Sequence, residues 1–240
     1  MPAVHAISDN SFDTTARDAV YRAIFTRRDV RSHFLPELLD DAVLARLLLA
    51  AHHAPSVGFM QPWNFIVIRD RERRRKVRDL FFDARRQEAE TIAGDRQALY
   101  RKLKLEGILE SPLNLCITCD RSRSQNSPLG RSHNPEMDLY STVCAVQNFW
   151  LAARAEGIGV GWVSILDSGA LKNLLSIPDH VVPVAYLCVG RVSEFAPSPD
   201  LETHGWGRRL PLPDLIMSEI FAGAGEESLK SAAQHPASPR

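Results

Sequence analysis

The chain has 240 residues, of which 45% are apolar and 24% charged. This length suits one substantial domain, and the composition is that of a globular protein. Lys plus Arg and Asp plus Glu number 29 each, so no bulk charge draws the chain to nucleic acid or to a membrane surface. The sequence shows no secretory leader and no run long enough to span a bilayer, which predicts a cytoplasmic protein.

Helical and extended patterns alternate along the chain. Residues 1–12 are predicted to form a flexible arm. The predicted helices cover residues 13–27, 40–54, 71–93, 97–109 (a helix or a lid), 137–155 and 169–175. The predicted strands cover residues 65–69, 113–119, 162–166 and 181–189. Residues 222–240 carry no periodic apolar set and are predicted to be disordered.

The helix at 137–155 is apolar on nearly every side. This predicts a central core helix, a subunit-interface helix, or both. Together the elements predict an α+β fold in one domain, residues 13–221, with a mixed central sheet flanked by helices on both faces.

Cys116 and Cys119 form a CxxC pair inside the apolar run LNLCITC. Such a pair can indicate a zinc or redox site. In a strand, however, residues three apart point to opposite faces, so these two thiols could not share a metal. We interpret them as core cysteines.

Three arginines, Arg27, Arg28 and Arg31, lie within five residues. They fit the solvated last turn of a helix, where cations complement the helix dipole. They also fit an extended segment in which Arg27, Asp29 and Arg31 project from one side at period two and bind an anion. The local pattern leaves both interpretations open.

Glycines 157, 159 and 161 resemble half of a dinucleotide fingerprint but follow a helix and precede a strand, the reverse of the Rossmann order. A helix C-cap followed by close backbone packing explains them better. In the strand that follows, Ser164 shares a face with Trp162 and Leu166, as a packed hydroxyl would. No nucleophile elbow surrounds it.

Several motifs are recognisable together: RRDVR, APSVGFMQPWNF, YRKLKLEGI, RSHNPEMDLYSTVCAVQNFWLAARAEG and GVGWVSI. From Tyr21 to Leu212 the chain resembles the nitroreductase superfamily of FMN enzymes and, within it, the 5,6-dimethylbenzimidazole synthase family. Two positions favour the narrower resemblance: Asp29, where ordinary nitroreductases have a serine, and Ser164. Asp167 beside Ser164 departs from the family pattern.

The resemblance implies a homodimer with FMN at the subunit interface. It assigns the FMN phosphate to the three arginines and Arg209, the ribityl chain and ring to Ser56 and the segment 58–61, and close ring approach to residues 161–163. The residues it assigns to FMN are Arg27, Arg28, Asp29, Val30, Arg31, Ser56, Gly58, Met60, Gln61, Leu105, Gly161, Trp162, Val163, Ser164 and Arg209.

By the same resemblance, reduced FMN is the substrate and O2 the co-substrate, the products are 5,6-dimethylbenzimidazole and erythrose 4-phosphate, and no metal is needed. A separate flavin reductase supplies reduced FMN. Asp29 is the expected general base and Ser164 orients oxygen, under a lid within residues 80–110. The alternatives are an NAD(P)H-dependent nitroreductase that recycles its FMN and a flavin-binding protein without catalysis.

Overall fold

The computed structural model describes residues 11–123, 129–221 and 227–234. Contacts divide the chain into two compact units, residues 27–208 and residues 1–26 with 209–240. The predicted single domain, 13–221, spans parts of both units, and its limits stay a prediction. No helix of the described residues is long and apolar enough to cross a membrane.

The larger unit is built on a four-stranded sheet in the order β1-β2-β4-β3. The strands are β1 (Trp63–Ile68), β2 (Leu113–Asp120), β3 (Ile158–Val163) and β4 (Val181–Arg191). All three pairings between them are antiparallel. The sheet is mixed only through an isolated parallel bridge between Asp29 and Val160, where the Val30 N–H donates to the Val160 carbonyl over 2.9 Å.

Eight α-helices occur in the described residues. They are α1 (Thr14–Thr26), α2 (Asp41–His52), α3 (Arg71–Thr91), α4 (Asp95–Lys102), α5 (Met137–Ala155), α6 (Ser168–Leu175), α7 (Asp200–Thr203) and α8 (Glu227–Gln234). Aspartates cap four of them: α1, α2, α3 and α6 have first-turn N–H groups that donate to Asp13, Asp40, Asp70 and Asp167. These caps satisfy N–H donors that a helix start leaves unpaired.

The two faces of the sheet carry separate cores. Helices α2 and α5 cover one face, where Leu47 and Phe149 are fully buried. Helices α3 and α6 cover the other face, with Phe81 and Leu171. The predicted α+β class with helices on both faces is therefore confirmed.

The CxxC cysteines point to opposite sides of β2, as predicted. Cys116 belongs to the core beneath α3 and α6, and burial raises the pKa of its thiol to about 12. Cys119 is hydrogen-bonded to Thr142 of α5 on the other face.

Two element predictions were wrong. The strand predicted at 162–166 is β3, Ile158–Val163, so Gly159 and Gly161 lie inside it rather than before it, while Gly157 follows the end of α5 with a φ of +72°. The helix predicted at 97–109 is α4, Asp95–Lys102, and residues 103–109 are not helical. In the tail, residues 227–234 form α8, and the disorder predicted for 222–240 stays a prediction; residues 1–10, 222–226 and 235–240 lie outside the described part of the chain.

Candidate functional site

A charged cavity in the larger unit is lined by the segment after α1, by residues after α4 and by parts of 194–204. Its cationic side chains are Arg28, Arg31, Lys102 and Lys104. Its carboxylates are Asp29, Glu194 and Asp200. Four cations against three carboxylates leave a positive balance, which favours an anionic ligand.

Only two of the three arginines, Arg28 and Arg31, line the cavity. Arg31 pairs with Asp29, and its buried Nε has no hydrogen-bond partner among the described residues. Arg28 lines the cavity and donates to the carbonyls of Arg27 and Pro197. Arg27 instead places its guanidinium 4.7 Å from the ring centre of Trp150. The extended segment is therefore present, but Arg28, rather than Arg27, joins Arg31 at the cavity.

Asp29 is fixed by two contacts. Its Oδ1 accepts the backbone N–H of Trp162 over 2.9 Å, and its Oδ2 pairs with Arg31. Burial raises the pKa of this carboxyl, against the lowering effects of Arg31, the Trp162 N–H and Arg27. A base with a raised pKa binds a proton more readily than an ordinary aspartate.

Gly161 is required by the Asp29 segment. A Cβ atom at this position would lie 1.9 Å from the Val30 carbonyl oxygen and 3.6 Å from Asp29 Oδ1. The resemblance implied that Gly161 leaves room for a flavin ring. In the structure, the absence of a side chain at Gly161 leaves room for the Val30 carbonyl, which lets the segment that carries Asp29 lie close to β3.

Ser164 lies just past the end of β3 and is exposed. It lines a second cavity, which it shares with Trp162, Val163 and Tyr186, and does not line the charged cavity that holds Asp29. The connection between the two is Trp162, whose N–H binds Asp29 and which precedes Ser164 by two residues. The departure at Asp167 is explained, because its side chain caps α6.

The remaining predicted residues are distributed as follows. Neither of these two cavities is lined by the loop that carries Ser56, Gly58, Met60 and Gln61. Leu105 is half-buried and packs against the core beneath α3 and α6. Arg209 is exposed and belongs to the other unit.

Sequence reasoning missed several residues of the charged cavity, among them Lys102, Lys104, Glu194 and Asp200. The two lysines had a usable signal, since RKLKLEG places two cations at period two after a helix. The contribution of residues 194–204 to the cavity had no such signal in the sequence, because it depends on tertiary folding.

The cavity fits a phosphate-bearing molecule. The buried Arg31 Nε points to a missing acceptor, and the neighbouring cations supply charge-assisted donors. A flavin mononucleotide has such a phosphate. Among the described residues, no group of His, Cys, Asp or Glu side chains is arranged to hold a metal ion.

A model of the nitroreductase family matches residues 24–191. The chain belongs to the nitroreductase family. Among curated relatives, a 5,6-dimethylbenzimidazole synthase of Rhodospirillum rubrum is 43% identical over 202 residues, which cover 84% of this chain and 95% of the relative. A protein of the same name from Rhodobacter capsulatus is 40% identical, with 84% and 97% covered.

A more distant relative, a putative NADH dehydrogenase/NAD(P)H nitroreductase of Archaeoglobus fulgidus, is 27% identical, with 70% of this chain and 83% of the relative covered. The name of this relative states a different activity from that of the two synthases.

Solved structures share the nitroreductase fold. Iodotyrosine deiodinase bound to FMN and 3-iodo-L-tyrosine matches with a TM-score of 0.66 at 20% identity, covering 84% of this chain and all of that one. A BluB-like flavoprotein of Clostridium difficile matches with a TM-score of 0.62 at 18% identity, covering 82% and 97%. At these identities the likeness establishes the fold alone.

Proposed function

We propose that this protein is a 5,6-dimethylbenzimidazole synthase, which consumes reduced FMN and oxygen and releases dimethylbenzimidazole, erythrose 4-phosphate and the remaining pyrimidine part of the flavin ring in oxygenated form. The observation that carries the proposal is Asp29, a half-buried carboxyl with a raised pKa, held beside an arginine-lined cavity. The two Rhodospirillum and Rhodobacter relatives bear this enzyme name.

Arg28 and Arg31 would hold the FMN phosphate, with Lys102 and Lys104 as further cations. Arg31 is suited to this because its fork is already oriented by Asp29, so little side-chain freedom is lost on binding. Reduced FMN supplies the electrons for oxygen and the carbon atoms of the product.

Asp29 would accept a proton from the first ribityl carbon as general base. An ionised carboxylate has about four lone-pair positions, so the bonds to Trp162 and Arg31 leave capacity for one more proton. Those two bonds also orient the carboxyl, which is what a positioned base requires.

Ser164 would donate a hydrogen bond that orients oxygen near the ring. Support comes from its exposed hydroxyl and its place two residues after Trp162, the residue that binds Asp29. Residues 161–163 would pass beside the ring, and the loop 56–61 would contact the ribityl chain and the ring.

The protein would act as a homodimer with FMN at the subunit interface. Helix α5 supports this, because Tyr140 is 54% exposed and Val143 is 42% exposed on one side of a helix whose other side forms the core. A separate flavin reductase would supply reduced FMN, and the cytoplasm is the expected location.

The test is incubation of the protein with FMN, a flavin reductase and NADH in air, followed by mass analysis. We expect dimethylbenzimidazole and a matching loss of FMN. The second candidate, favoured by the Archaeoglobus relative, is an NAD(P)H-dependent nitroreductase. It would oxidise NAD(P)H with a nitroaromatic acceptor without the separate reductase and leave the FMN intact.

A further inference from the structure

The loop 56–61 has an unusual backbone. Gly58, Phe59 and Gln61 have φ values of +61°, +52° and +47°. For residues other than glycine, such conformations are strained and persist only when the surroundings impose them. The loop therefore needs contacts that hold it.

Some of these contacts are local. The Ser56 Oγ accepts the Gln61 N–H over 3.1 Å, and the Ser141 Oγ of α5 accepts the Val57 N–H over 3.1 Å. On another side the loop meets residues 129–130: a Cβ atom on Gly58 would lie 2.8 Å from the Leu129 carbonyl oxygen.

The guanidinium of Arg123 binds the end of the loop 56–61. The Nη1 of Arg123 donates to the Gln61 carbonyl over 2.6 Å and to the Trp63 carbonyl over 3.0 Å, while its Nη2 donates to the Asn64 Oδ1 over 2.7 Å. Asp120 lies 3.6 Å from the same guanidinium and helps to orient it. A planar fork with several fixed donors suits this arrangement, and a lysine could not reproduce it fully.

We propose that Arg123 is a positioning residue for flavin binding, because it locks the loop 56–61 into its left-handed backbone before the flavin arrives. This rests on the proposed function in one respect: it takes the loop 56–61 to contact the ribityl chain and the ring. The contacts of Arg123 on which this inference rests are those to Gln61, Trp63 and Asn64. Its effect is to remove the cost of ordering the loop at the moment of binding.

The test compares Arg123→Met with Arg69→Met. Arg69 lies just past the opposite end of β1, is half-exposed and pairs with Asp41, so its loss controls for removal of a surface ion pair. We measure hydrogen exchange of residues 56–64 in flavin-free protein and the Kd for oxidised FMN. In Arg123→Met, exchange should accelerate at 56–64 and the Kd should rise about tenfold, as expected when charge-assisted bonds are lost. Arg69→Met should change neither.

Arg123→Lys serves as the second variant, since one ammonium can still reach a carbonyl and should recover part of the affinity. Exchange and Kd in both Arg123 variants equal to those of Arg69→Met would overturn the inference. The outcome is independent of product formation: a wild-type protein that makes no dimethylbenzimidazole defeats the proposed function, while an Arg123 effect on exchange and FMN affinity still supports the positioning role.

Discussion

The carboxyl of Asp29 is surrounded by groups with opposite effects on its proton affinity. Burial and the nearby Asp200 raise its pKa, whereas Arg31, Arg27 and the Trp162 N–H lower it, and the net effect is a rise above the ordinary value of 3.8. Arg31, which we propose to hold the phosphate, therefore also lowers the proton affinity of the proposed base. In this proposal a single short segment, 27–31, serves both binding and chemistry.

The raised pKa predicts a specific pH dependence. Asp29 must be ionised to accept a proton, so the rate of product formation should fall on acidification with an apparent pKa above 3.8. Asp29→Asn should bind FMN with little change and form no product. Product formed by that variant at the wild-type rate would show that another group is the base.

The contribution of Asp29 to the free energy of unfolding should change with pH in the opposite direction to the rate of product formation. A group whose pKa is raised by folding contributes stability at low pH, which is lost as the pH rises through the folded-state pKa. The melting temperature of the wild type relative to Asp29→Asn should therefore decrease from acidic to neutral pH. An unchanged difference across that range would contradict the assigned direction of the shift.

At the scale of elements, the site depends on how closely the segment after α1 approaches β3. The Val30 N–H binds the Val160 carbonyl, the Asp29 side chain binds the Trp162 N–H, and Gly161 provides the space between them. These contacts add a short parallel pairing to the edge of an antiparallel sheet.

Gly161→Ala tests this approach. Its methyl group would clash with the Val30 carbonyl, so we expect a loss of about 1–3 kcal/mol in the free energy of unfolding, as for other overpacked sites, together with weakened FMN binding. The matched control is Gly169→Ala in α6, where a Cβ atom meets nothing closer than 3.4 Å. Equal melting temperatures for the two variants would contradict the close approach.

Much of the architecture is predictable from sequence because apolar periodicity and capping residues are local signals. The bounds predicted for the helix at 137–155 agree with α5, and Asp40 and Asp70 mark helix starts. The glycines fit the predicted helix end and close backbone packing, but the start of β3 was placed too late, because the residues that Gly159 and Gly161 accommodate, Val192 and Val30, are distant in sequence.

The site is predictable to a smaller extent. The pattern of arginines around Asp29 predicted an anion site as one of two open interpretations, but not that Arg27 would turn to Trp150. Glu194 and Asp200 join the cavity only through tertiary contacts. The contacts of Arg123 could not be predicted from sequence either, because its partners Gln61 and Trp63 are 62 and 60 residues away along the chain.

At the scale of the whole molecule, the proposed homodimer depends on a helix that is both core and surface. In α5, Phe149 and Ala145 are fully buried, whereas Tyr140 and Val143 are exposed. An exposed apolar side on an otherwise central helix is typical of a subunit interface.

Val143→Asp should weaken that interface, because a charge buried between subunits without a partner is strongly unfavourable. Light scattering should give a mass of twice 26.8 kDa for the wild type and a shift towards the monomer for the variant. Gln147→Glu, on the same side of α5, is the milder control. A wild-type monomer that still fragments FMN would contradict the requirement for a dimer.

The most direct test of the account is a single turnover. Reduced FMN is bound to the protein without oxygen, air is admitted, and dimethylbenzimidazole and remaining FMN are quantified by mass. We expect dimethylbenzimidazole to appear as FMN disappears, mole for mole, in the wild type, and Asp29→Asn to return its FMN intact. Recovery of all the FMN as oxidised flavin from the wild type would contradict the proposed fragmentation.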